Sequence, residues 1–194
     1  MTKQEVLNNI RYNENLVRQY QNTISRLRNK VTDANSKINS YNSKITQLNK
    51  DVKNKTTQIN ELNRLKNKYQ NLQNDFASQQ SKRKNKFNVN FSKNINVNFM
   101  TSYINGMRSL LSGSEYKKAY NGLSSAISTI SKKVKSIQSD IDDLKKEISS
   151  KKKKIDSLRK EINSYQSQIN RTNSNLSYRK QRITYWKNQL RYAT

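Results

Sequence analysis

Apolar residues recur in a three–four alternation from Tyr120 to Leu190. One row is Tyr120, Ile127, Val134, Ile141, Ile148, Ile155, Ile162, Ile169, Leu176, Ile183 and Leu190. The second row, three residues on, is Leu123, Ile130, Ile137, Leu144, Lys151, Leu158, Tyr165, Thr172, Arg179 and Trp186. The phase holds across ten heptads, and only Lys151, Thr172 and Arg179 break the apolar character. A helix on a globular core shows a wider stripe at period 3.6, whereas a narrow seam at period 3.5 marks a coiled coil.

The first half repeats the pattern. Ile10, Val17, Ile24, Val31, Ile38, Ile45, Val52 and Ile59 form one row. Tyr20, Leu27, Ala34, Tyr41, Leu48, Lys55 and Leu62 form the other. Thr2-Lys3-Gln4-Glu5 has the form of a capping box and sets the helix start. Beyond Leu62 the apolar residues Leu65, Tyr69, Leu72 and Phe76 keep the alternation only if one step shortens to three, a stammer that overwinds the coil.

Between the seams the period changes to two. Phe87, Val89 and Phe91, then Ile95, Val97 and Phe99, alternate with Asn, which predicts a β-hairpin over 86–100 with one apolar face. A short helix is expected over 101–112, carrying Ile104, Met107, Leu110 and Leu111 on one side. Ser112 and Glu115 would cap the helix that follows. The expected architecture is therefore a single domain over 1–194, mainly all-α. Helix 2–82 and helix 114–192, each about 120 Å long at 1.5 Å per residue, fold back as an antiparallel coiled-coil hairpin with the β-hairpin and short helix at the turn. Level pairing would stack Lys55 on Lys151 and Tyr41 on Tyr165. A stagger of three or four residues is expected instead, placing each seam lysine against an Ile.

Six acids precede a base by four residues: Glu14/Arg18, Asp33/Lys37, Asp51/Lys55, Asp142/Lys146, Glu147/Lys151 and Asp156/Lys160. Each such pair stabilises a helix by roughly 0.2–0.5 kcal/mol. Two of them give the seam residues Lys55 and Lys151 an acid one turn back.

Composition changes the picture in two ways. Apolar residues make up 31%, with no Pro and three Gly, too little for a thick globular core but enough to stripe long helices. Net charge is +26, which attracts polyanions: nucleic acid, an anionic membrane surface or an acidic protein. Lys151, Lys152, Lys153 and Lys154, and at the tip Lys82, Arg83 and Lys84, are the polyanion candidates. The chain has no Cys and no His. With those two missing, and with no Gly-rich phosphate loop or nucleophile elbow, no enzyme activity, cofactor or metal site is expected. No apolar run is long enough to span a membrane, so the expected location is cytoplasmic, or outside the cell by a route that reads no N-terminal signal.

The stretches RLKNKYQNLQNDF (Arg64–Phe76) and SYINGMRSLLSGSEYKKAYNGLSSAISTISKKVKSIQSDIDDLKKEI (Ser102–Ile148) resemble the WXG-type helical-hairpin proteins. These are the small partners of LXG toxins in type VII secretion loci of Gram-positive bacteria. The resemblance implies helices that assemble side by side with the N-terminal helices of a toxin and with a second small helical partner. The tip residues Phe87, Val89, Phe91, Ile95, Val97, Phe99, Met107 and Leu110 would then meet the partner. The sequence has no Trp-x-Gly at its break, its single Trp being Trp186. A hairpin between two coiled helices is also similar to prefoldin, which implies a scaffold that forms homo-oligomers through its β-hairpins.

Overall fold

The computed structural model describes residues 2–87, 102, 103, 105–107, 109 and 113–193. Two long helices dominate: α1, Lys3–Phe87, and α2, Ser114–Gln189, with a 3-10 turn at Leu190–Tyr192 closing the second. Among the described residues there is no strand. The chain forms two compact units, one of Met1–Asn49 with Lys146–Thr194 and one of Lys50–Lys145. Each is an antiparallel pair of α1 and α2 segments.

The capping box forms as its sequence predicts. The Thr2 amide donates to Glu5 Oε2 at 2.8 Å, and the Glu5 amide donates to Thr2 Oγ1 at 3.3 Å. At the start of α2 the Lys117 amide donates to the Gly113 carbonyl at 3.3 Å. Gly113 therefore holds the N-cap position expected for Ser112, which lies outside the described residues. Glu115 turns to Lys118 Nζ, 3.0 Å away.

Every residue of the two α2 rows is buried or half-buried, and so is every residue of the α1 rows from Ile10 to Leu62. In the unit that holds the chain ends, Ile24, Leu27 and Ile169 form a core flanked by Val31, Tyr165 and Leu176. In the other unit the buried residues Ile130, Ile137 and Ile141 all belong to α2.

Three expectations are corrected. The first is the stagger. Lys55 meets Asp140, about 11 residues short of Lys151, and Tyr41 lies under Lys154, about 11 residues short of Tyr165. The shift is one heptad plus four residues, which keeps the two seams in phase. This register brings the Lys55 ammonium to a carboxylate across the pair, 2.8 Å away, and in it Val6 is fully buried and Ile10 nearly so.

The second correction is the stammer. After Leu62 the partly buried positions Lys66, Tyr69, Gln73, Phe76 and Gln80 keep the three–four alternation, with Ala77 beside Phe76 and Lys84 one turn past Gln80 also partly buried. The seam keeps its phase by accepting polar residues, and Leu65 and Leu72 stay outside it, 42% and 54% exposed. Gln73 is accommodated because its Nε2 donates to Ser124 Oγ at 2.6 Å on the facing helix.

The third concerns the tip. Helix α1 continues through Lys86 and Phe87, so the β-hairpin expected over 86–100 does not begin where the alternation begins. A backbone already satisfying its hydrogen bonds along an 85-residue helix extends at the cost of one residue's entropy per bond. The rest of that hairpin, including Val89, Phe91, Ile95, Val97 and Phe99, lies outside the described residues. Of the expected short helix 101–112, residues 102, 103, 105–107 and 109 are helical, while Leu110 is outside the described residues.

Candidate functional site

Two side-chain assemblies reach outward from the seam, one in each unit.

The first is a groove in the 50–145 unit. Phe76 and Tyr116 stack with ring centroids 4.9 Å apart and planes at 12°, and Tyr116 continues to Tyr120 at 6.0 Å. Beside them a groove of about 540 Å³ is lined by Leu72, Asp75, Phe76, Arg83, Glu115 and Tyr116. A second groove of about 540 Å³ is lined by Glu61, Leu62, Leu65, Lys133 and Ile137. Leu65 and Leu72 sit one heptad apart on the same flank of α1. Paired helices bury a narrow seam, so large apolar side chains on a flank are left for another partner.

The second is a row of rings and guanidinium groups in the unit that holds the chain ends. Tyr178 and Tyr185 are one heptad apart on α2, and Tyr192 follows after another seven residues in the 3-10 turn. Arg182 Cζ lies 4.9 Å from the Tyr185 ring centroid and 5.0 Å from that of Trp186. Tyr185 and Trp186 meet edge to face at 5.0 Å. Arg179 Cζ lies 5.3 Å from the Tyr178 ring and 5.9 Å from the Tyr12 ring on α1. Arg179 also donates from Nη1 to Oδ1 of the buried Asn13 at 3.3 Å, while Asn13 Nδ2 donates to the Asn9 carbonyl at 2.7 Å. That link anchors the row to α1.

The sequence-predicted residues fare differently. Lys151 is taken up by the seam: its side chain is 16% exposed and its Nζ lies 3.0 Å from Glu147. Lys154 reaches over Tyr41 at 5.9 Å. Lys152 and Lys153 are exposed, as are Lys82 and Arg83, with Lys84 half-buried. Lys55 brings its ammonium to Asp140 across the pair at 2.8 Å, where Asp51 on its own helix was the expected partner. At the tip, Met107 is half-buried and helical. Of Phe87 only the helical backbone is described.

Reading the seams alone passes over both assemblies. The tyrosine row was visible as Tyr178, Tyr185 and Tyr192 at sevenfold spacing, two residues after a seam position each time. Leu65 and Leu72 showed the same spacing but were absorbed into the seam. Among the described residues no three His, Cys, Asp or Glu side chains gather as a metal site, and no helix is long and apolar enough to cross a membrane. No protein family, curated protein or solved structure matches the chain.

Proposed function

We propose that the chain is a non-enzymatic helical binding partner, an adaptor that takes further helices alongside its own pair. The fit is to a toxin or another helical protein of a type VII secretion-associated complex. The observation that carries this reading is the exposed pair Leu65 and Leu72 beside the two grooves of the 50–145 unit. There α1 contributes polar residues to the seam and holds leucines outside it. An apolar stripe flanked by Glu61, Asp75 and Glu115 as well as Arg83 and Lys133 suits an amphipathic helix that carries charges of both signs. Co-purification with an amphipathic helical partner tests the reading. A stable complex that Leu65→Lys with Leu72→Lys disrupts, while helicity is retained, supports it. A chain that stays alone in solution and captures no helix argues against it.

A second reading is favoured by the net charge of +26 and the exposed Lys152 and Lys153: attachment to a polyanion, with nucleic acid the first candidate. Affinity should then fall steeply with salt, because each phosphate contact releases counterion. An affinity that is the same at low and physiological salt contradicts it.

A further inference from the structure

We infer that the tyrosine–arginine row of α2 is a stacking site for single-stranded nucleic acid, whose unpaired bases lie on Tyr178, Tyr185 and Tyr192 and whose phosphates meet Arg179, Arg182 and Arg191. This rests on the polyanion reading and names its site and ligand class. Four observations carry it. The rings are open to a ligand, with Tyr178, Tyr185 and Tyr192 exposed by 54%, 46% and 82%. Tyr178 and Tyr185 lie about 10.5 Å apart along the helix at 1.5 Å per residue, and Tyr192 follows in the 3-10 turn. Arg179 and Arg182 hold positive charge 5.3 and 4.9 Å from the ring centroids of Tyr178 and Tyr185. From Ile162 to Thr194 six bases occur and no acid, and one of them, Lys187, lies 3.9 Å from Glu14 of α1.

Cationic side chains that track a backbone, interleaved with rings on which bases stack, make up a single-strand platform. A duplex keeps its bases stacked on one another and has no use for the exposed rings. A lipid surface is the other anionic partner that collects Arg and Tyr, but insertion needs Trp, Phe or Leu open to the membrane on the same face. Among the described residues of this unit every exposed large apolar side chain is a tyrosine, and Trp186 is half-buried.

The single Trp186, in contact with Arg182 and Tyr185, supplies the readout. The full-length chain is titrated, at low salt, with oligo-dT, with an abasic strand of the same length, and with phosphatidylglycerol vesicles. Oligo-dT is expected to quench Trp186 and to bind more tightly than the abasic strand. Tyr178→Ala and Tyr185→Ala should each weaken oligo-dT binding by roughly fivefold or more, leave the abasic strand's binding unchanged, and keep the helical circular dichroism. Tyr185→Phe, which keeps the ring, should restore oligo-dT binding. Equal affinity for both strands overturns the inference and leaves the polyanion reading standing. Binding to neither strand overturns both, and binding to vesicles alone replaces the site's ligand with a membrane.

Discussion

Oδ1 of Asn13 accepts a hydrogen bond from Nη1 of Arg179 at 3.3 Å, joining residues 166 apart in sequence across the paired helices. Asn13 is 3% exposed and is the buried polar residue among those described. A buried polar layer in a coiled coil fixes register, because any slip leaves its groups unsatisfied. Asn13→Leu should therefore destabilise the chain by roughly 1–3 kcal/mol, since Arg179 loses its acceptor at a half-buried position. Asn13→Leu with Arg179→Leu should recover that loss in urea unfolding, with more than one helix register present.

The phase of the seam past Leu62 gives a second test. Leu65→Ala should change stability by no more than about 0.5 kcal/mol, because the side chain is 42% exposed on the flank. If the seam instead slipped onto Leu65, the same truncation would cost roughly 2–5 kcal/mol. Urea denaturation of the two variants Leu65→Ala and Tyr69→Ala ranks them, with Tyr69→Ala the more damaging.

Lys151 occupies a seam position with its ammonium drawn out to Glu147. Lys151→Leu should raise stability by about 1 kcal/mol, because an apolar side chain fills the layer and the 51%-exposed Glu147 stays solvated. Thermal unfolding by circular dichroism measures it.

Gly122 lies within α2, exposed, and a Cβ placed on it meets nothing within 4 Å. Gly122→Ala should stabilise the helix by about 0.5–1 kcal/mol through backbone entropy alone. A loss of stability in the same unfolding measurement would mean that this face packs against something.

The two helices and their seams were legible because a repeat of Ile, Val and Leu over many heptads has one structural solution. What escaped was set by residues outside that repeat. The stagger sets Lys55 beside Asp140, a residue outside both rows. The stammer came from counting Leu65 and Leu72 as core, when the coil tolerates Lys66 and Gln73 in the seam because long polar side chains lie along it and reach partners such as Ser124. Lys55 had an acid available on its own helix, and only the register showed that Asp140 on the facing helix was also within reach. The tyrosine row lay in plain view but takes its meaning from Arg179 and Arg182 lying over it.

The antiparallel register is tested most directly by the distance between spin labels on a chain that has no cysteine of its own. Labels are placed at Tyr41→Cys with Lys154→Cys, and separately at Tyr41→Cys with Tyr165→Cys. The first pair should be adjacent across the helices, and the second should be clearly longer, offset along the axis by about 16 Å. The reverse order, or two equally long distances, would contradict the pairing on which the groove and the ring row both depend.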